Sequence, residues 1–462
     1  MLLLGGLGIT CAVALFGGGF EREERLAFAV CAALLLGAVA ASPRARQALA
    51  DVAGAPAIVG LIALGGVTVV STAWTLAETE DALVWGMSIL GYAIVAVGAA
   101  VHARLEGPAP TAGLLALLAL AAGGAGLVAV GVGEQPYAER LGGSWRPGGP
   151  FEYPPALAFA QIMALPVWLA AACARRSGVQ GTALQGAGAL GLAVAGTTLG
   201  LADSRTALGL AAAAGVVIAL RPPGRAGLPE LGSAVVVIVT CAGAAHALVG
   251  GRVDGPDRGT AELLQLVAVL GFGTLLWAPL RALSGRLRSA GGGHVRRPRL
   301  SRRAGILLAS GAALVCVAAI AAVADTPEGP GIEKASGFAH GREVQWGAAL
   351  EVFAREPLVG AGAESYLEAS RSDQGNRPIR YAHSLPLEVA AELGVLGLAA
   401  LGLVLGGVAL VWWRRRGSEA FALVGVAVAA LPLANLVDWS WHLAGLGAMW
   451  ALALGALIGA RE

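Results

Sequence analysis

The sequence predicts an all-α fold, a polytopic transmembrane helical bundle of about 12–14 spans with one long extracytoplasmic loop containing short helices. Three observations predict it. Charged residues make up 13% of the chain and hydrophobic residues 56%, whereas a soluble domain carries about a quarter charged residues. The charges stand in short islands between apolar runs of about 16–25 residues, the length that crosses a bilayer's hydrocarbon core as a helix. The islands also alternate in arginine content, as the positive-inside bias requires.

Fourteen runs read as spans: 1–19, 26–41, 56–74, 82–101, 111–133, 154–173, 182–201, 206–220, 232–250, 260–280, 304–323, 385–412, 418–436 and 441–460. The first pair is tight and 206–220 is short, so twelve or thirteen crossings stay open. With both ends cytoplasmic, the inside loops hold 19 of the 32 basic residues but only five of the 30 acidic ones. An error of one span would scramble that alternation, so it supports the span map and this orientation; the chain is expected to be a multi-pass protein of the inner (plasma) membrane. The N-terminus is apolar from Leu2 with no basic region before it, so it reads as a first span rather than a cleaved signal peptide. The chain thus divides into a bundle at 1–323, an extracytoplasmic loop at 324–384 and closing spans at 385–462.

Composition excludes several classes. A net charge of +2 provides no basic field for nucleic acid. All five cysteines lie in apolar runs and none forms Cys-x-x-Cys, so neither a disulfide framework nor a zinc site is indicated. There is no Walker loop, no Gly-x-Ser-x-Gly elbow, no His-Glu-x-x-His helix and no Asp-x-Asp. An enzyme built on this chain is expected to work without a metal or other cofactor, on a lipid-linked anionic substrate.

Polar groups unusual for their position collect on the outer side. In "LADSRTALGL" a link of a few residues holds Arg205 at or just below the interface. It either snorkels, pairs with Asp203, or faces an anionic substrate group. In the loop, "REVQWGAALEVFAREP" spaces Trp346, Leu350 and Phe353 along one face of an amphipathic helix, which Arg342 opens. Guanidinium grips phosphate oxygens in a fork, so a pair of such arginines suits a diphosphate. "YAHSLPLE" places His383 at the N-terminus of a coming span, where the helix dipole favours neutral imidazole, a proton acceptor near neutral pH. Glu388 and Glu392 share a face four residues apart and need interior partners; Arg205, Arg342 and His442 are the candidates. "RLGGSWRPGGPFEYPP" adds Arg140, Arg146 and Tyr153 on the same side.

Together these segments resemble the O-antigen ligase and O-antigen polymerase superfamily of membrane glycosyltransferases, over about 140–413. The order carries the resemblance: "RLGGSWRPGGPFEYPPALA" before a span, "SRTALGL" at a helix start, then "GREVQWGAALEVFAREPLVGAG", "ESY" and "AHSLPLEVAAELGVLGL" leading into the next span. It departs at Ser384, where many members have Asn, and at "EYPP", where an asparagine-rich ending is common. The resemblance implies that Arg205, Arg342 and His383 are catalytic. Arg140, Arg146, Tyr153, Tyr366 and Glu388 are expected to bind substrate. It implies a glycan donor linked to undecaprenyl diphosphate, a glycan, lipid or protein acceptor, and membrane lipids as surroundings. The arginines would hold the diphosphate, and His383 would orient or deprotonate the attacking hydroxyl. A transporter or flippase is the competing reading; such proteins place ionisable groups near the bilayer midplane on broken helices of repeated halves.

Overall fold

The computed structural model describes residues 2–141, 144–175, 178–224, 226–250, 259–290, 342–374 and 378–461. Among them ten helices are long and apolar enough to cross a membrane: Leu2–Gly19, Arg22–Ala41, Pro56–Ala73, Thr79–Glu106, Ala109–Val132, Pro154–Ala172, Gly178–Ala202, Leu228–Val249, Thr260–Arg286 and Leu385–Arg415. Three shorter apolar helices follow the same pattern, Arg205–Leu220, Glu419–Ala434 and Ala444–Gly459. Each coincides with an expected span to within a few residues. The expected span 304–323 and the start of the loop, 324–341, lie outside the described residues. The protein is a polytopic helical bundle.

Two elements were not expected. A short helix, Pro43–Val52, follows the second span; Ser42 caps it by accepting Ala45 N–H at 3.3 Å, and Pro43 fills its first turn. Its arginines disguise it in the sequence as a loop. The segment around Arg140 is a two-stranded antiparallel hairpin, Ala138–Leu141 with Ser144–Pro147, which pairs Arg140 with Trp145 and Glu139 with Arg146.

The chain forms two compact units. In one (1–114, 331–415 and 431–462), Thr79–Glu106 is central and packs against Ala444–Gly459, Pro56–Val70 and Arg22–Ala41. In the other (115–330 and 416–430), Gly178–Ala202 packs against Pro154–Ala172, Leu228–Ala245 and Thr260–Ala290.

The loop helix Arg342–Arg355 forms as expected, but with a different face inward. Ala348, Ala349 and Val352 are buried, while Leu350 is 53% exposed. Close packing on Leu385–Arg415 and Tyr366 selects the small residues, leaving Leu350 outside and Trp346 and Phe353 half-buried.

Leu385–Arg415 is not one continuous helix. At Gly394 the backbone enters a conformation (φ 59°, ψ −153°) that breaks the hydrogen-bond ladder. The freed groups are satisfied by the segment after Pro357. Ala361 N–H donates to Ala391 O at 3.0 Å, and Gly362 N–H to Glu392 O at 2.8 Å. In return Val395 N–H donates to Pro357 O at 2.9 Å, and Leu396 N–H to Leu358 O at 3.3 Å. Ser71 and Thr75 hold the segment from behind, through Ala363 N–H to Ser71 Oγ at 3.1 Å and Thr75 Oγ1 to Ala363 O at 2.7 Å.

This exchange requires glycine twice. A Cβ on Gly394 would lie 2.5 Å from Leu358 C, and one on Gly360 (φ 65°) 2.3 Å from Glu392 C. Gly360→Ala is therefore expected to destabilise the protein by at least about 1–3 kcal/mol, the cost of a strained left-handed residue before any clash is added. Gly402→Ala, in the same helix with open space at its Cβ, is expected to be neutral or slightly stabilising. Thermal unfolding of the detergent-solubilised variants checks both.

Candidate functional site

The broken helix turns two buried carboxylates, Glu388 and Glu392, toward the loop, and the loop brings a third, Glu364. Glu392 is 4% exposed, and its two oxygens accept the backbone N–H groups of Glu364 and Tyr366, each at 3.0 Å. Glu388 is 1% exposed; one oxygen accepts Ala382 N–H at 2.9 Å, and the other meets Trp441 Nε1 at 3.3 Å and His442 Nε2. Glu364, in left-handed backbone at φ 60°, faces Arg25 at 2.8 Å, Arg380 at 3.1 Å and His442 Nδ1 at 3.4 Å. Of the partners expected for Glu388, the structure selects His442; Glu392 uses backbone donors instead.

His442 stands between Glu364 and Glu388 with no exposed surface. Carboxylates at both ring nitrogens favour a donor at each, which is imidazolium. Burial alone would lower its pKa, but Glu388 and Glu364 outweigh burial and raise it. Burial likewise works to raise the Glu364 carboxyl, yet Arg25, His442 and Arg380 hold it well below the usual carboxylate range. The cluster is enclosed by aromatic rings. Trp85 stacks on His442 at 4.6 Å, Tyr381 lies 4.1 Å from it, and Tyr381 stacks on Trp439 at 5.2 Å.

His383 sits directly on this support. Its backbone is left-handed (φ 52°), unusual for a residue with a Cβ. The conformation is held on one side by Ala382 N–H on Glu388, and on the other by Leu385 N–H donating to Asn435 O at 2.8 Å. His383 Nδ1 lies 3.1 Å from Tyr381 O. A carbonyl only accepts, so Nδ1 carries the proton and Nε2 presents a lone pair. Burial lowers the His383 pKa first; the Tyr381 carbonyl opposes this, and Arg342 lowers it further. The ring is therefore neutral at pH 7. Arg342, at the start of its helix, donates from Nη1 to Val437 O.

The remaining candidates are placed as follows. Arg342, His383, Glu388 and Tyr366 belong to the first unit; Arg140, Arg146, Tyr153 and Arg205 belong to the second. Arg205 begins its helix just after Ser204, whose hydroxyl accepts Ala207 N–H at 3.2 Å. Asp203, at φ 48°, pairs with Arg146 at 2.6 Å. Tyr366 is fully buried and donates to Gln345 O at 2.8 Å, so it joins the loop helix to the rest of the loop. Neither Tyr366 nor Glu388 presents surface to a ligand; their contacts position backbone. Among the described residues, no group of three or more His, Cys, Asp or Glu side chains is arranged to hold a metal ion.

Sequence reasoning missed Arg25, Glu364, Arg380 and Tyr381. The signal was present in "EREER", where Arg25 already lies in the first turn of an apolar helix, a costly place for an unpaired charge. Removing its partner tests the network. Glu364→Ala leaves Arg25, 3% exposed, without its counter-charge and is expected to cost about 3–5 kcal/mol of stability. The pH dependence has two limbs. The Glu364 contribution is complete above the unfolded carboxylate pKa of about 4.3 and is lost as pH falls through its lowered folded value. The His442 contribution is complete below about 6.5 and is lost as pH rises through its raised folded value. Unfolding followed from pH 5 to pH 9 is therefore expected to show a decline on the alkaline side that His442→Gln removes.

No curated protein matches the chain. Residues 190–402 match the family model described as O-antigen ligase. The matched stretch contains Arg205, Arg342, Glu364, His383 and Glu388, and the hairpin with Arg140 and Arg146 precedes it. The ten apolar helices and this match agree with the resemblance in the motifs: the chain is a polytopic membrane protein whose residues 190–402 are similar to the O-antigen ligase family.

Proposed function

We propose that the protein transfers a glycan from undecaprenyl diphosphate to an acceptor hydroxyl on the extracytoplasmic face of the inner membrane, with both termini cytoplasmic. The observation that carries the reading is His383. It is neutral and left-handed, and its Nδ1 proton is committed to Tyr381 O, which leaves Nε2 as the base.

In the proposed step the acceptor oxygen attacks the anomeric carbon of the donor glycan. A new carbon–oxygen bond forms while the bond from that carbon to the diphosphate oxygen breaks. The diphosphate leaves with the electron pair, and His383 Nε2 takes the hydroxyl proton. Guanidinium groups disperse the charge that develops on the leaving oxygen. Arg342 is assigned that work beside His383, and Arg205 is assigned it on its place in the Ser-Arg motif alone. The chemistry calls on fixed cations of the chain and on no metal ion. Membrane lipids supply the medium in which the donor's polyprenyl tail dissolves. Whether the acceptor is a core glycolipid, another lipid-linked glycan or a protein side chain separates ligation from polymerisation within the same reaction.

Deletion in the native host, followed by analysis of surface polysaccharide, tests the reading. Lost long chains on an intact acceptor indicate ligation; single repeat units on the acceptor indicate polymerisation. His383→Ala, Arg205→Ala and Arg342→Ala are each expected to lower transfer at least about 100-fold while the protein remains in the membrane. Full activity in these variants removes the mechanism. Because the His383 pKa is lowered, the acid limb of the transfer-rate profile is expected below about pH 6.5, the ordinary histidine value. An acid limb above that value contradicts a neutral His383.

A further inference from the structure

A concavity is lined in part by Arg380, three positions before His383 in the sequence. It encloses about 310 Å³ and is lined by Phe20, Glu21, Arg22, Glu23, Arg25, Glu78, Asp81, Val84 and Arg380. All of these residues belong to the first unit. The volume is at the small end of the range for ligand pockets, about 300–1,000 Å³.

Its charges decide what it can hold. Three guanidinium groups line it, and each already faces carboxylate. Arg22 is engaged by Glu78 at 2.5 Å, Asp81 at 2.8 Å and Glu80. Arg25 faces Glu364 at 2.8 Å, and Arg380 faces Glu364 at 3.1 Å and Asp81 at 4.0 Å. The carboxylates Glu21, Glu23, Glu78 and Asp81 outnumber the arginines in the lining. A diphosphate entering here would meet acidic groups in excess and cations already occupied, so the pocket disfavours an anion.

A sugar fits the same lining. Carboxylates accept from neighbouring hydroxyls, and a sugar's CH face packs on an aromatic ring. Phe20 supplies the ring; Arg25 and Arg380 sit 5.5 Å from its centroid, and Tyr381 and Trp439 meet it edge-on at 6.2 and 5.6 Å. Of the lining residues, Arg25 also has a buried Nε without a hydrogen-bond partner among the described residues. Native proteins leave few such atoms unmatched.

We propose that this pocket binds the sugar end of the acceptor, an uncharged glycan with neighbouring hydroxyls, and brings its hydroxyl toward His383. The inference rests on the glycosyl-transfer reading and gives it a substrate subsite separate from the diphosphate. Arg380 links the two places, because it lines the pocket and begins the sequence Arg380–His383.

The test measures binding directly, so it does not depend on turnover. The probe is the acceptor oligosaccharide released by mild acid from the surface glycolipid of a host strain lacking this protein. It is titrated calorimetrically into the full-length protein in nanodiscs. Wild-type protein and His383→Ala are expected to bind it equally, and added pyrophosphate is expected not to displace it. The double variant Glu78→Gln, Asp81→Asn keeps side-chain shape while replacing two carboxylates, and is expected to weaken binding at least tenfold. Circular dichroism confirms that the variant is folded; should it unfold, Glu78→Gln alone, at a side chain 74% exposed, is expected to weaken binding at least threefold. No binding to wild type, unchanged binding in the folded variants, or displacement by pyrophosphate overturns the proposal. Binding that meets every expectation in a protein that transfers no glycan sustains the pocket and overturns the transfer reading.

Discussion

The structure around the candidate site depends on one exchange of backbone hydrogen bonds. A helix at membrane depth cannot leave N–H or C=O groups unpaired, because lipid offers no substitute. Breaking Leu385–Arg415 at Gly394 strands amides and carbonyls on both sides, and the segment from Pro357 to Gly362 satisfies them in both directions. That segment is thereby fixed to the helix, and the polar residues that follow it are carried into place. Glu364 and Tyr366 are met by the carboxylate of Glu392, one residue beyond a carbonyl that receives the inserted segment. The rigidity of the loop thus originates in the helix rather than in the loop itself.

From this anchor the charges assemble in a chain of dependence. Glu364 is held low by Arg25, His442 and Arg380; the His442 pKa is raised by Glu388 and Glu364; Glu388 fixes the amide before His383. A buried ion pair is rarely a net source of stability, because desolvation offsets the attraction, but removing one member is costly. Such a network therefore specifies geometry more than it adds stability. Here the geometry specified is a histidine in a backbone conformation that costs about 1–3 kcal/mol and persists only where its surroundings over-determine it. Glu152, Asp203 and Glu364 share that conformation, and all lie in segments expected on the outer side.

The spans were legible because the bilayer imposes a length and a composition that a single sequence displays. Thirteen helices fell where the apolar runs stood, down to the short Arg205–Leu220. The order of the motifs was legible too, and the family match covers its later part. The break in Leu385–Arg415 was not legible. Gly394 is one glycine among several in "ELGVLGLAALG", and only its backbone conformation and close approach to Leu358 distinguish it. The partners of buried charges were equally hidden, because Arg25 and Glu364 are 339 positions apart and no local pattern connects them. Glu388 illustrates both limits. Its need for an interior partner followed from burial and like-charge repulsion, and His442 was among the candidates, but its work in positioning Ala382 appears only in three dimensions.

The broken helix also bears on the competing reading of transport. Transporters interrupt helices near the midplane so that half-helix ends and unwound carbonyls face a solute or ion. In Leu385–Arg415 the freed carbonyls of Ala391 and Glu392 and the freed amides of Val395 and Leu396 are already committed to the inserted segment. A solute could use those groups only by displacing backbone that Ser71 and Thr75 hold in place. The interruption serves to seat a loop, and the loop's end carries a neutral, strained histidine with a free lone pair. An arrangement that spends its backbone polarity on fixing one imidazole suits proton transfer at a stationary site better than alternating access.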